Sequence, residues 1–407
     1  MLFLLRLKGE RDFKQTIILL KYKAIRSKWF QAACIAALVF GIYFVTSKGS
    51  TPYDHFVRLV DAFFDGRLYL VDAPPWLELA RYGEKAFVIN PPAPTLFVLP
   101  SVAIWGLNTN QAIICMMVGA GAIGLFWVAA TQLGWNTRFR IAIIILFAFG
   151  TNFWWAATDG GVWMFAQVSA VFFLMAALVE TTGNNRPWLI GLLVGLAGLS
   201  RLPTFLAFPF FAYTIANGVG DRRIIIRRLV VFGLALAAMG GLYLLYTYGE
   251  YGSFTFGYEK GQFMDEPWFS EGLFDISYIP RQLNAILFYV PVFTDQFPYF
   301  KPSFMGLGLF LTTPALLYVF RARLKERLSL VALAALLLIS IPIVTYGATG
   351  WLQFGYRFSL DLFPFMAILV ASGMRHRLDR FKIALILLSC AISLWGTLSF
   401  HIFDWVA

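Results

Sequence analysis

Apolar runs of about 20 residues recur along this chain, and short clusters of Lys and Arg separate them. A run of that length is what an α-helix needs to cross the hydrocarbon core of a bilayer. Charged residues make up 14% of the chain, whereas a soluble domain carries about a quarter. The sequence therefore predicts an all-α membrane protein, a polytopic helical bundle, and excludes a soluble enzyme.

The apolar runs predict about eleven transmembrane helices in a single domain over residues 29–407, preceded by a basic N-terminus at residues 1–28. The predicted spans are residues 29–47, 110–133, 141–157, 162–179, 188–200, 202–216, 229–248, 303–320, 328–346, 360–373 and 383–402. Residues 188–200 and 202–216 are predicted to form a hairpin around Arg201. A further apolar piece at residues 95–107 is too short to be predicted as a full crossing.

Charge placement predicts the orientation of the bundle. Lys and Arg are concentrated in the connections on one side, and Asp and Glu in those on the other. Because basic flanks stay in the cytoplasm, the N-terminus is predicted to be cytoplasmic and the C-terminus external, in a bacterial-type inner (plasma) membrane. Residues 48–94 and 249–302 then form two sizeable external loops. The net charge of +11 is explained by this topology, so no nucleic-acid partner is implied.

The first external loop contains a segment with the pattern of an amphipathic helix. Its polar residues fall on one stripe and its apolar residues on the other: Asp54, Arg58, Asp61 and Asp65 against Phe56, Leu59, Val60, Phe63 and Phe64. Such a helix lies along the membrane surface. Asp61 and Asp65 are expected to face water, whereas Asp54, at the helix start, is predicted to face the bundle. The alternative is that Asp54 is also solvated and pairs with Arg58.

Three cations lie apart from the cytoplasmic clusters and are candidate phosphate-binding residues. Arg201 lies between two apolar segments, where an unpaired charge is costly, so an anionic partner is expected. Arg357 precedes a predicted span, and Lys85 precedes the turn Asn90-Pro91-Pro92-Ala93-Pro94. Arginine suits phosphate because its planar donors bind two oxygens. The alternative for Arg357 is an internal salt bridge with Asp159, Asp361 or a carboxylate of the first loop.

The remaining sequence features concern sugar binding and metal binding. The second external loop is rich in aromatic residues, which either stack on sugars or anchor the loop at the lipid interface. The three histidines are scattered and the three cysteines lie in predicted spans, so no metal site built by the protein alone is predicted. Cofactors stay unknown, and a divalent metal is left open.

Together these motifs resemble the integral-membrane glycosyltransferases of the C type (the GT-C superfamily), which use lipid-linked sugars. The resemblance rests on Asp54 soon after the first span, on Asn90-Pro91-Pro92 at the end of the loop, on a paired-helix element at Ser200-Arg201-Leu202-Pro203, and on residues 350–358. It implies that Asp54 is the general base of an inverting transfer from a polyprenyl-phosphate-linked sugar to an extracytoplasmic glycan, lipid or protein. Arg357, Arg201 and Lys85 would contact the phosphate.

One departure from that pattern concerns the loop start, where several relatives have an acidic pair. Here Asp54 is followed by His55, which either assists the base or only forms a hydrogen bond. Other functions remain open from the sequence. A surface-glycan polymerase or ligase would use external arginines without an Asp54 base, and a lipid or sugar transporter (flippase) would carry charges along a central pathway. A non-catalytic assembly protein is a further alternative.

Overall fold

A computed structural model of the protein describes residues 27–407, so nearly all of the predicted basic N-terminus lies outside the described residues. The described part is built of helices, with two short hairpins. Its α-helices are α1 (Lys28–Val45), α2 (His55–Phe64), α3 (Thr95–Trp105), α4 (Gln111–Gln132), α5 (Thr137–Phe149), α6 (Phe153–Asp159), α7 (Val162–Thr182), α8 (Pro187–Gly198), α9 (Phe208–Ala216), α10 (Arg222–Tyr251), α11 (Ile279–Phe288), α12 (Leu309–Thr312), α13 (Arg327–Val344), α14 (Phe363–Gly373) and α15 (Arg380–Leu398).

The antiparallel hairpins are short. They are β1 (Ala80–Tyr82) with β2 (Lys85–Phe87), and β3 (Val292–Phe293) with β4 (Phe300–Lys301). The first hairpin belongs to the first predicted external loop, where an isolated bridge between Leu70 and Ala86 extends it. The all-α prediction is confirmed, since strands account for only these few residues of the described chain.

Six helices of the described residues are long and apolar enough to cross a membrane, or seven if the bent pair α5–α6 counts as one span. They are α1, α4, α7, α10, α13 and α15 with the turn after it. Three shorter apolar segments, Thr95–Asn108, Pro187–Gly198 and Leu202–Ala216, fall below that length. The protein is therefore a multi-pass membrane protein by its helices, whereas a count of about eleven spans is not confirmed.

Proline explains why one predicted span is not a continuous helix. Residues 303–320 were expected to form one crossing, but α12 ends at Thr312 and a 3-10 helix, Pro314–Arg321, follows. Pro314 has no backbone N–H to donate and disfavours a helical conformation at Thr313, so the helix stops there. The predicted span at residues 360–373 is not one continuous α-helix either. It begins within a 3-10 helix, Arg357–Leu362, which precedes α14.

The centre of the bundle is formed by α4, α7 and α14, and every residue of α14 is buried. Of the most apolar segments of α4 and α7, 72% and 83% is buried, compared with 17% for α1 and 11% for α10. Small residues let the helices approach one another closely. A Cβ added at Gly124 of α4 would lie 3.0 Å from the Ala32 carbonyl oxygen of α1. The outer surfaces of α1 and α10 are therefore the ones available to lipid, while α4 and α7 pack beneath the first loop, which the sequence predicts to be external.

The amphipathic helix of the first loop is present as α2. Phe56, Leu59 and Val60 of its apolar face are buried, whereas Phe63 is partly buried and Phe64 is 56% exposed. The start of α2 is fixed by Gln111, at the beginning of α4. The Gln111 amide nitrogen donates to the backbone oxygens of Tyr53 and Gly160, and its oxygen accepts from the Phe56 N–H. These bonds satisfy a buried side chain and hold the start of α2 over the junction between α6 and α7.

Candidate functional site: a buried arginine beneath the first external loop

Arg357 is a deeply buried cation, with 8% of its surface exposed. Its guanidinium carbon lies 5.7 Å from the centre of the Trp163 ring and 5.2 Å from that of Phe358, and Nη1 lies 3.7 Å from the Met164 sulfur. Between residues 27 and 407, no carboxylate forms an ion pair with Arg357, and its Nε has no hydrogen-bond acceptor. Burial and the neighbouring Arg201 lower the pKa of Arg357. The internal salt bridge considered for Arg357 is thus not formed within the described residues.

Arg357 is held in place by the turn that precedes it. Gly355 has a positive φ of 68°, which suits glycine, and a Cβ there would lie 3.1 Å from the Cβ of Asn152. The Asn152 amide donates to the Tyr356 carbonyl, 3.1 Å away, and the Gln353 side-chain oxygen accepts from the Arg357 N–H at 3.3 Å. The backbone at Arg357 is therefore fixed on both sides, and its side chain projects towards Trp163 at the start of α7.

Arg201 is neutralised by Asp361. Its Nε lies 3.2 Å from both Asp361 oxygens, and Nη2 lies 3.0 Å from Oδ2. Asp361 is fully buried, while 12% of the Arg201 side chain is exposed. The anionic partner expected for Arg201 is thus a residue at the start of the α14 region. Because the Phe358 ring centre lies 5.4 Å from the Arg201 guanidinium carbon as well, it adjoins both arginines.

Glu78 of the first loop is the carboxylate that acts most strongly on Arg357. Its Oε2 accepts a hydrogen bond of 2.6 Å from the Trp163 indole N–H. Burial raises the pKa of Glu78, and the Trp163 hydrogen bond and the Arg357 charge oppose that rise. Glu78 therefore holds its charge less readily than an exposed carboxylate would. We call the cluster of Glu78, Asn90, Trp163, Arg201, Tyr258, Arg357 and Asp361 the arginine site.

The second predicted external loop closes the arginine site through Tyr258. Asn90, the first residue of the Asn90-Pro91-Pro92 turn, donates from its amide nitrogen to the Tyr258 hydroxyl at 2.9 Å. Burial raises the pKa of Tyr258, and the charges of Arg201 and Arg357 oppose the rise. Tyr258 is thus a neutral hydroxyl at neutral pH, close to both arginines and to Glu78.

Asp54 lies at the rim of this arrangement. It immediately precedes α2, its Oδ1 is 2.7 Å from the Arg58 Nε, and 18% of its side chain is exposed. The largest electrostatic influences on Arg357 come from Arg201, Glu78, Tyr346 and Tyr258, and Asp54 is not among them. The pairing with Arg58 considered from the sequence is therefore present, and the structure brings Asp54 close to the arginine site without direct contact.

His55 and Trp163 connect Asp54 to the arginine site. The Trp163 ring centre lies 4.9 Å from that of Tyr53 and 6.3 Å from that of His55. His55 is fully buried, and burial lowers its pKa to about 4, against the influence of the nearby Tyr53 and Glu78 backbone. His55 is consequently a neutral imidazole at neutral pH and not a phosphate-binding cation.

Lys85 lies on the exposed hairpin, away from the other candidates. Its ammonium group lies 4.7 Å from the centre of the Tyr69 ring, and it is not among the main electrostatic influences on Arg357. Asp61 is only partly exposed, and Asp65 is exposed and pairs with Arg67. Of the five candidate residues, Arg201 and Arg357 are brought together, Asp54 and His55 adjoin them, and Lys85 does not.

Sequence reasoning passed over Glu78 and Trp163. Glu78 lies between Leu77 and Leu79, both buried, and these apolar neighbours were the signal in the sequence that this part of the loop packs inward. Trp163 follows Gly160-Gly161, where α7 begins after a tight turn. Throughout the described chain, no group of three or more His, Cys, Asp or Glu side chains could hold a metal ion.

The fold and the arginine site define the class of protein: a multi-pass α-helical membrane protein with a polar cluster enclosed between two loops and the ends of its helices. In comparisons with protein-family models, curated proteins and solved structures, none matches this chain.

Proposed function

We propose that this protein is a membrane glycosyltransferase that transfers a sugar, with inversion, from a polyprenyl-phosphate donor to an extracytoplasmic glycan, lipid or protein. The observation that carries the proposal is Arg357, a buried guanidinium to which the chain from residue 27 onward supplies no ion-pair partner. A buried cation is costly unless an anion compensates it. A substrate phosphate would provide that anion.

The surroundings of Arg357 suit a phosphate better than a carboxylate of the protein. The guanidinium can donate two parallel hydrogen bonds, and its Nε is still free to donate within the described structure. Arg201 lies beside it, already fixed in orientation by its ion pair with Asp361. Donors that are already oriented stabilise the charge that develops on a leaving group at little reorganisation cost.

The transfer itself requires a base for the acceptor hydroxyl. In the proposed step a carboxylate of the first loop takes that proton, and the acceptor oxygen bonds to the anomeric carbon from the opposite face. The bond from that carbon to the phosphate oxygen breaks, and its electron pair leaves with the phosphate held by Arg357. Asp54 is the base that the resemblance implies, and the adjacent Arg58 holds its carboxylate in position.

Glu78 is the rival base, because its charge influences Arg357 more strongly than the charge of Asp54 does. The 2.6 Å bond from Trp163 holds one of its oxygens and orients the carboxylate. This geometry favours a role beside the phosphate, either in accepting the proton or in orienting the donor sugar. Asp54, at the rim and partly exposed, is placed to meet an acceptor arriving from outside.

A glycan polymerase or ligase is the second candidate function. It would use Arg357 in the same way but would not depend on Asp54, and the Asp54–Arg58 ion pair is the observation that favours it. In either case we propose that the N-terminus is cytoplasmic and that the arginine site lies at the external face of a bacterial-type plasma membrane, an orientation that the basic flanks favour.

The test is binding of a lipid phosphate to the purified full-length protein, measured by native mass spectrometry and followed by transfer assays with a panel of polyprenyl-phosphate sugars. We expect Arg357→Gln to weaken binding strongly and Arg357→Lys to restore only part of it, because lysine keeps the charge but not the planar pair of donors. Arg81→Gln, on the exposed hairpin, is the matched control. Unchanged lipid-phosphate binding by Arg357→Gln would refute the proposal.

A further inference from the structure

The second predicted external loop has two halves of opposite composition. Residues 249–275 contain six Asp and Glu residues. From residue 282 to residue 300, by contrast, Asp295 is the one charged residue, and the rest of that stretch is rich in Leu, Ile, Val, Phe and Tyr. The two halves therefore suit different surroundings, the first an aqueous one and the second an apolar one.

Helix α11, at the start of the apolar half, turns its apolar side outward. Its Gln282 is fully buried, and the amide nitrogen donates to the backbone oxygens of Tyr346 and Ala348 at 2.7 and 2.9 Å. The exposed residues of α11 include three large apolar ones beside Asn284, namely Leu283, Leu287 and Phe288. A surface helix in water has the reverse arrangement, because burial of its apolar side is what stabilises it. The outward side of α11 is thus suited to contact with hydrocarbon.

The β3–β4 hairpin continues this apolar surface. Phe293 pairs with Phe300 across the two strands, and Phe293 is 78% exposed. In the turn between the strands Phe297 is 71% exposed. The Thr294 N–H donates to the Tyr299 carbonyl at 2.9 Å, so the turn is closed by its own backbone. The exposed aromatic rings are therefore presented on a fixed turn.

The hairpin lies beside α15 and not beyond its end. The ring centre of Phe300 is 5.3 Å from that of Trp395 in α15. Trp395 precedes Phe403, where that apolar span ends, by about 12 Å along a helix. Phe297 reaches Trp405, just after the span, with ring centres 5.3 Å apart. The aromatic side chains of the hairpin therefore overlap in depth with the last turns of the span.

We propose that residues 279–301 form a membrane anchor, embedded in the bilayer surface beside α15, with phospholipid as the partner. Aromatic side chains are favoured at the boundary between headgroups and acyl chains. The hairpin meets α15 next to Leu394, which is itself 40% exposed on the span, and this continuity with a bilayer-facing surface favours lipid over a second protein. The strands stay at the level of the headgroups, because open sheet edges are not tolerated in the hydrocarbon region.

The anchor has a consequence for the arginine site, although it does not depend on the chemistry proposed there. Tyr258, which bonds to Asn90, lies in the acidic half of the loop, between α10 and α11. One end of that half continues from a membrane-spanning helix, and the anchor holds its other end at the same bilayer surface. The segment that closes the arginine site is thus fixed to the membrane on both sides.

Site-directed spin labelling in lipid nanodiscs tests the anchor. The background is the full-length protein with its three cysteines replaced by alanine, into which one cysteine is introduced at a time. A nitroxide at Phe293→Cys should be more accessible to oxygen than to a water-soluble nickel complex, at a depth of about 5–10 Å. Leu394→Cys, on α15, is the lipid-facing reference. Asp265→Cys, exposed in the acidic half of the same loop, is the matched water-facing control.

Each outcome decides for or against the anchor. Nickel accessibility at Phe293→Cys equal to that at Asp265→Cys would overturn it. A label shielded from both relaxation agents would also overturn it and would assign the surface to a protein contact, such as one with a second copy.

The unsubstituted protein provides a second measurement, which does not depend on the folding of any variant. It is reconstituted in phosphatidylcholine vesicles that contain a phospholipid with an acyl-chain diazirine, and the photo-labelled residues are identified by mass spectrometry. Labelling within residues 283–300 supports the anchor, and labelling confined to the spanning helices overturns it.

Discussion

Replacing Asp361 with asparagine should make the protein less stable and, at the same time, better able to bind an anion. Asp361 is fully buried and receives all three close contacts from Arg201, the longest being 3.2 Å. Removing one partner of a buried ion pair costs about 3–5 kcal/mol, because the remaining charge stays desolvated. The variant would then hold Arg201 and Arg357 near Phe358, with the carboxylate that compensates Arg201 gone.

The measurement is thermal unfolding of the detergent-solubilised protein, with and without a polyprenyl phosphate. Asp361→Asn should lower the unfolding temperature far more than Asp379→Asn, because Asp379 is 55% exposed in its pair with Lys382 and a pair with a solvated carboxylate contributes about 0–1 kcal/mol. Added lipid phosphate should recover more stability in Asp361→Asn than in wild type, since a ligand stabilises in proportion to its affinity for the folded state. Equal losses in the two variants, or no extra rescue by lipid, would refute this account of the two arginines.

The other predictions concern the carboxylates and the histidine of the first loop. In the transfer assay, Asp54→Asn should reduce turnover by about 10²–10⁴-fold if Asp54 is the base, whereas the control Asp61→Asn should stay near wild type. If Asp54→Asn remains active and Glu78→Gln loses activity, the base is Glu78. Glu84→Gln is the exposed control for Glu78→Gln. Because the pKa of folded Glu78 is raised, its protonated form favours folding, and that contribution is lost as the pH rises through the folded-state pKa. Unfolding temperatures of wild type and Glu78→Gln should therefore converge at low pH and separate as pH rises, with wild type the less stable; parallel curves would contradict this. The pKa of His55 is lowered to about 4, so wild type should lose stability between about pH 6.5 and 4 as the unfolded chain gains a proton, and His55→Phe should lack that loss when unfolding is followed over the same range.

The sequence was sufficient for the helical class and for the position of α2, since both depend on local patterns. Apolar run length predicts a membrane helix, and the spacing of Asp54, Arg58 and Asp61 predicts the polar face of α2. Helix continuity was harder to predict. The break at Thr313-Pro314 separates a run that hydropathy alone presents as one span.

The arginine site could be predicted only in part because its members are far apart in sequence. Sequence reasoning selected Arg201 and Arg357 as isolated cations, but not that Asp361 would satisfy the first and leave Arg357 for another anion. That distinction depends on how the 3-10 helix Arg357–Leu362 orients the Asp361 side chain, which contacts Arg201. Glu78 and Trp163, 85 positions apart, meet through a hydrogen bond that no local pattern reveals.

The hydrogen bond between Asn90 and Tyr258 restrains the two loops from moving apart. It ties the proline-rich end of one loop to the other loop, with 168 positions of chain between them. Pro91 and Pro92 restrict the backbone next to Asn90, so the connection between the two loops allows little movement. An acceptor that passes between the loops would have to break this hydrogen bond or move both loops together. Either movement would displace the residues around Arg357.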